Sequence, residues 1–364
     1  MASSAIVGNL RSASQSARRF YLPELDSLRF FAFLAVFIAH WSLVFHVNLS
    51  INGQMCAFGV DLFFTLSAYL LTELLMREKE QNGHIDALAF YIRRGLRIWP
   101  LYFAFLTALL IALLCSVVTF SPWWFAFFAV FMGNFALYAA CCPHLALVPL
   151  WSVSVEEQFY AVWPWVAKPL NRQGLVVFAI VLWVFSIWFR VHLFFGAARP
   201  MRIWYFTFAR LDPIACGILI SASRMRIAVS RYSLVLVGIA LWALAAYLGP
   251  EAPDVHLICM LLGYPAVALG CGAFLLATLG AANQVMRSTH LIYLGRISYG
   301  LYVFHASALT IAAACLAWLP TTAQIVLGTP VAFALTLAAA STSYRFYEAP
   351  FLRLKRRFEH VPSR

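Results

Sequence analysis

The chain has 364 residues, of which 63% are hydrophobic and only 11% charged, with a mean hydropathy of +0.82. That composition excludes a soluble globular domain and describes a polytopic membrane protein. Its 26 Lys and Arg against 14 Asp and Glu give a net charge of +12. The cations fall in the loops between apolar spans, so the excess reads as the positive-inside signature and contact with anionic headgroups, not as nucleic-acid binding. The eight cysteines have neither a staple spacing nor a CxxC pair. There is no HExxH, P-loop or GxGxxG, so neither a metal site nor nucleotide hydrolysis is expected.

In chain order, residues 1–20 form a basic, acid-poor arm without an apolar h-region, expected to be disordered and cytosolic rather than a cleaved signal peptide. Apolar segments of spanning length follow at 26–46, 57–76, 98–119, 123–140, 151–167, 174–195, 203–223, 232–248, 257–279, 290–318 and 325–347. Residues 21–353 thus make one membrane domain, and 354–364 a basic cytosolic tail. Arg11, Arg18 and Arg19 place the N-terminus inside, and Arg353, Lys355, Arg356 and Arg357 ask the same of the C-terminus, which requires an even number of crossings. The segment 123–140 is the one to remove: it is aromatic (PWWFAFFAVF), interrupted by Gly133-Asn134, and read as re-entrant or lying at the outer face. The expectation is an all-α bundle of about ten transmembrane helices with both termini cytoplasmic. Arg199 and Arg202 do not fit this charge pattern. No internal repeat is evident, which counts against a transporter built from duplicated halves.

The first span, LDSLRFFAFLAVFIAH, carries Arg29 and His40 eleven positions apart. Eleven steps of about 100° return to within roughly 20°, so both lie on one helix face, about 16 Å apart along the axis. Ionisable residues inside a bilayer are costly, so their depth is informative. In the ten-span topology His40, Asp61, Glu156, Glu157, Arg190, Arg210 and Asp212 fall in the outer half. Arg29, Arg93, Arg94, Arg97, Arg296 and Arg345 fall in the inner half. Arginine forks at a cytosolic mouth suit a cosubstrate carrying a pyrophosphate and a further phosphate. An imidazole bonded to a carboxylate can take a hydroxyl proton or briefly accept an acyl group. Arg210 and Asp212 cannot face each other at i, i+2, so if they are structural, each pairs elsewhere. His305, in YGLYVFHAS, reads as a second acid/base or a bonded interior histidine. Glu24 and Asp26 read as caps of the first span, and Ser152 and Ser154 as caps before Glu156.

Seven motifs occur in order: the Arg-x10-His pair, FGVDLFFTLSAYLL, RRGLRIWPLYF, LWSVSVEEQFYAVWP, ARLDPIACGILI, LGRISYGLYVFH and SYRFYEAPF. Together, from about residue 20 to residue 353, they resemble membrane acyltransferase family 3, the integral-membrane O-acyltransferases. The resemblance implies a ten-helix bundle and transfer of an acyl group, usually acetyl, from cytosolic acyl-coenzyme A. The implied acceptor is a hydroxyl of a glycan or, in some members, a secondary metabolite. It implies that Arg29 and His40 are the essential pair and that Arg93, Arg94 and Arg97 serve the donor. Glu156 and Glu157 match the family's WSxSxEEQFY stretch. One departure is Ser67-Ala68 where Ser-Gly is usual. The resemblance also implies that a later transfer step would need an extracytoplasmic partner protein.

The combined expectation is a bacterial inner-membrane O-acyltransferase using acyl-CoA, with acetyl-CoA as the expected donor and no bound cofactor. His40 serves as base or acyl carrier, and Arg29, Glu156 and Glu157 complete the catalytic set. Arg93, Arg94, Arg97 and Arg296 hold the donor, and Asp61, Arg210, Asp212 and His305 the acceptor. A proton-coupled exporter of glycans or lipids is the rival, with His40 and the carboxylates as a proton relay.

Overall fold

The computed structural model describes residues 20–49, 55–139, 144–196, 200–225, 229–249, 257–281 and 284–361. Among them every regular element is helical, as a lipid-facing chain requires, since a helix satisfies its backbone polar groups within itself. Helix α1 (Pro23–Val44) opens on a proline, whose missing N–H costs nothing in a first turn. Helix α2 (Gly59–Asn82) stops at Gly83, which takes the left-handed conformation (φ 76°) that closes a helix. Helix α3 (Ala87–Leu114) starts on Asp86, whose carboxylate accepts from the Ala89 N–H at 2.9 Å.

The aromatic segment after α3 forms two short helices, α4 (Trp123–Ala129) and α5 (Gly133–Ala139). Seven residues span about 10 Å, a third of the hydrocarbon thickness, so neither crosses. Gly133 lies against the Phe128 ring, where a Cβ would overlap it, so the Gly133-Asn134 break is also a packing requirement. This agrees with the expectation that 123–140 is not a span.

Next come α6 (Leu150–Ala167), α7 (Arg172–Phe195), the short α8 (Pro200–Tyr205), a 3-10 turn (Thr207–Arg210) and α9 (Leu211–Ala222). Helix α10 (Arg231–Leu248) is followed by a π-helical turn (Cys259–Gly263) running into α11 (Tyr264–Thr278). Helices α12 (Thr289–Arg296) and α13 (Ser298–Cys315) divide the expected segment 290–318 at Ile297. Helix α14 (Thr321–Thr342), a π-helical stretch (Ser343–Glu348) and α15 (Ala349–Lys355) complete the described chain.

Eight helices among the described residues are long and apolar enough to cross a membrane. The two expected spans outside that eight are 151–167, now α6, and 203–223, now α8, the 3-10 turn and α9. One contains Glu156 and Glu157. The other is interrupted where Arg210 and Asp212 sit. The first is kept out by its polar residues, and the second by the break that leaves α9 only 12 residues long.

Helix α9 packs against α2, α7 and α11, and α1 against α2, α12 and α13. Small residues permit the closest approaches. A Cβ at Gly217 would overlap the Thr65 carbonyl, one at Gly59 the Ala32 carbonyl, and one at Gly295 the backbone of Asp26. Ala68 belongs to the same contact: it is buried and faces Gly217, so the residue replacing the usual glycine meets a helix, not the cavity described below.

The basic tail is not free of the bundle. Lys355 is buried, the Phe358 carbonyl accepts from Arg93 at 2.7 Å, and His360 faces Asp86 at 3.4 Å.

Candidate active site

A cavity of about 140 Å³ opens beside the N-terminal half of α1, between α2, α3, α6, α13 and the end of α15. Of the residues singled out by sequence, Arg29, Arg94, Arg97 and Glu156 line it. Arg29 donates to Asp26 Oδ1 at 2.9 Å. On the other carboxylate oxygen, Asp26 accepts from the Tyr21 hydroxyl at 2.9 Å, which in turn accepts from Arg296 at 3.1 Å. Burial holds the Tyr21 phenol above its ordinary range, so it remains a donor. Asp26 is therefore no cap; α1 has no side-chain cap at all. It fixes the Arg29 fork, and Arg296 acts one step behind the cavity wall through Tyr21. Arg94, also on the wall, has a buried Nε without a hydrogen-bond partner among the described residues.

On the opposite wall Glu156 accepts from the Ser67 hydroxyl at 2.6 Å. Glu157, one residue on and so about 100° around the helix, points elsewhere and accepts from Trp99 Nε1 at 3.0 Å. The two glutamates do different things. Arg93 likewise departs from its neighbours, tying Glu78 (3.0 Å) and the Phe358 carbonyl together. Ser152 and Ser154 sit inside α6, not before it. Ser152 Oγ lies 2.7 Å from the Tyr302 hydroxyl, which also donates to the Pro149 carbonyl.

His40 and His305 meet edge to face, with ring centroids 4.8 Å apart. The Nδ1 of His40 lies 3.0 Å from the Val36 carbonyl, and that of His305 lies 2.6 Å from the Tyr302 carbonyl. A carbonyl only accepts, so each Nδ1 carries a proton, and Nε2 is the nitrogen through which each ring can exchange one. Sequence reasoning placed a carboxylate behind His40; the structure puts a peptide carbonyl there. Tyr302 lines the cavity and packs against His305 at 5.5 Å between centroids. The His pair thus lies just beyond the cavity wall, with Tyr302 between.

Asp61, Arg210 and Asp212 are elsewhere. Arg210 pairs with Asp61 at 2.5 Å and Arg190 with Asp212 at 2.8 Å; all four are at most 1% exposed, and none lines the cavity. Arg190 also donates to Ser186, to the Ala209 carbonyl and, through the π-helical turn, to the Met260 carbonyl. Arg210 stacks on the Trp204 ring at 3.6 Å. Arg202 lies in α8 with a buried, unbonded Nε; Arg199 is outside the described residues.

A cavity with three arginines on its wall, and two imidazoles behind that wall, suits transfer of a group from an anionic donor. The family described as "Acyltransferase domain" matches residues 22–342. The chain belongs to this acyltransferase family. It is 27% identical to the peptidoglycan O-acetyltransferase OatA of Listeria monocytogenes over 91% of this chain and 56% of that protein. It is 27% identical to the O-acetyltransferase OatA of Staphylococcus aureus over 55% of this chain and 34% of that protein. The chain thus spans between a third and just over half the length of these relatives. No solved structure matches it.

Sequence reasoning missed Tyr21, Asp26, Ser67, Tyr302 and Lys355 as cavity residues. Two carried a readable signal. Asp26 stands at i−3 from Arg29, and Tyr302 at i−3 from His305, the spacing that shares a helix face. Lys355 carried none, because its charge was absorbed by the topology argument.

Proposed function

We propose that this chain is an integral-membrane O-acyltransferase that moves an acyl group, expected to be acetyl, from cytosolic acyl-CoA to a hydroxyl of a glycan or glycosylated acceptor. The observation that carries the reading is the cavity itself, with Arg29, Arg94 and Arg97 on its wall and the His40–His305 pair behind Tyr302. The arginines hold the donor phosphates. His40 Nε2 takes the proton from the acceptor hydroxyl as the oxygen attacks the thioester carbonyl. The tetrahedral carbon then expels the thiol sulfur, which recovers the proton from His40 as the ester forms. Glu156, held by Ser67, faces the cavity as an acceptor of hydrogen bonds and orients a hydroxyl-bearing substrate.

The names of the relatives favour a peptidoglycan-like glycan as acceptor. Residence in a bacterial inner membrane with cytoplasmic termini, and an extracytoplasmic partner for any onward transfer, belong to the same proposal. The test is labelled acetyl-CoA supplied to membranes containing the parent, His40→Ala or Arg29→Ala, together with glycans from the host. Base-labile label on a glycan with the parent, absent with His40→Ala, is the expected result. Folded parent that transfers no acyl group while moving protons would favour the exporter reading.

A further inference from the structure

One residue on the cavity wall, Lys355, lies beyond the segment that the family match covers. Lys355, the final residue of α15, is 8% exposed, lines the cavity with Arg29, Arg94 and Arg97, and also lines a smaller adjoining cavity that it shares with Arg94, Glu359 and Val361. Its ammonium is paired with Glu359 at 3.2 Å, one helical turn on. The segment is pinned there from several sides. Arg93, itself held by Glu78, donates to the Phe358 carbonyl; His360 faces Asp86; Val361 is buried. A lysine buried this far needs an anion, and a buried pair is retained only where its geometry compensates the lost hydration.

The anions around the cavity are already assigned: Asp26 to Arg29, and Glu156 to Ser67. The cavity's cations outnumber them, and Glu359 is the carboxylate that answers Lys355. We infer that Lys355 is a ligand of a donor phosphate and that Glu359 is its internal stand-in, a carboxylate that the phosphate displaces. This rests on the acyl-CoA reading of the cavity. It goes beyond that reading by placing a phosphate contact on the C-terminal segment and by assigning a neighbouring residue that opposes donor binding.

The two residues then have opposite effects. Lys355→Met keeps the bulk of the side chain and removes the charge; it raises the KM for acetyl-CoA about tenfold with kcat nearly unchanged, as expected for lost charge-assisted contact in ground and transition states alike. Lys355→Arg restores most of the affinity. Glu359→Gln lowers the KM about threefold, because the phosphate no longer competes with a carboxylate. A pair that merely braced the tail would make both variants worse. Acetyl-pantetheine, which lacks every phosphate, is the control probe, and neither substitution should change its KM. A KM for acetyl-CoA that is unchanged in Lys355→Met, or that rises in Glu359→Gln, overturns the inference, as does an equal penalty on acetyl-pantetheine. Failure of the acyl-CoA reading shows itself separately, as absence of transfer by the parent protein. Thermal unfolding of each purified variant in detergent, expected to stay within a few degrees of the parent, ensures that the kinetic differences are read on folded enzyme.

Discussion

Two clusters of buried charge occur in this bundle, and they are built on opposite plans. Asp61, Arg210, Asp212 and Arg190 form two cations matched by two anions, sealed to at most 1% exposure. The guanidinium of Arg190 is further spent on two carbonyls and a hydroxyl, and that of Arg210 on an indole face. Around the cavity the balance is broken: Arg29, Arg94, Arg97 and Lys355 face space, with fewer carboxylates than cations among them. A charge in low dielectric must be answered. In the first cluster the protein answers it, tying α2, α7, the 3-10 turn and α9 into one unit. In the second, on the proposed reading, the donor phosphates add to the answer. Depth in the membrane alone does not separate the two plans; balance and access do.

Substitutions sharpen that contrast. The largest effect belongs to the reacting end. His40→Ala lowers kcat by about 10²–10⁴, the usual worth of a positioned general base, with unfolding temperature unchanged; label-transfer rates in purified membranes read it directly. The sealed cluster responds in the opposite manner. Arg210→Met strands the Asp61 carboxylate and costs about 3–5 kcal/mol of stability, seen as a fall in unfolding temperature and in yield. Asp61→Leu combined with Arg210→Met recovers most of that loss, since an apolar pair leaves no orphaned charge. If the double variant is as unstable as the single, the quartet does more than hold helices together.

A smaller change is expected on the donor side. Asp26→Asn keeps the shape but weakens the grip on Arg29 and Tyr21, and the KM for acetyl-CoA rises about tenfold with kcat little affected. The smallest lies at the membrane surface. The Ala89 N–H, with His360 close by, holds the Asp86 carboxyl below its usual range. Its folded pKa is depressed, so its contribution is complete above the unfolded value of about 3.9 and is lost as pH falls through the folded one. Asp86→Ala removes about 1 kcal/mol at neutral pH, and the gap from the parent closes on acidification below that window.

Much of the fold was legible because each span announces itself by its own residues. Proline opens α1, Gly83 closes α2, and Gly133-Asn134 marks the place where the aromatic segment breaks into two short helices. The face shared by Arg29 and His40 follows from helix geometry alone. What periodicity could not give is pairing at long range. Asp61 finds Arg210, 149 positions away, only once α2 and α9 are side by side. The same limit separated Glu156 from Glu157, identical in type and adjacent in sequence, one facing the cavity and the other a tryptophan. It also kept His305 and His40 apart until α13 was laid against α1. Lys355 was hidden for another reason: in a chain with so many loop cations, one more looked like topology.

The close packing of helix α1 bears on which donors the proposed reaction would admit. Gly59 and Gly295 bring neighbouring backbones so close to it that no Cβ fits between, which leaves α1 little freedom to slide or turn. On the proposed reading, the spacing between the arginine that holds the donor and the histidine that accepts the proton is set by the helix rise, about 16 Å along the axis. On the proposed reading α1 is a ruler laid along the donor. A carrier shorter or longer than the ruler can be held at either end, but not at both, and so the chain measures its substrate before it touches the bond to be broken.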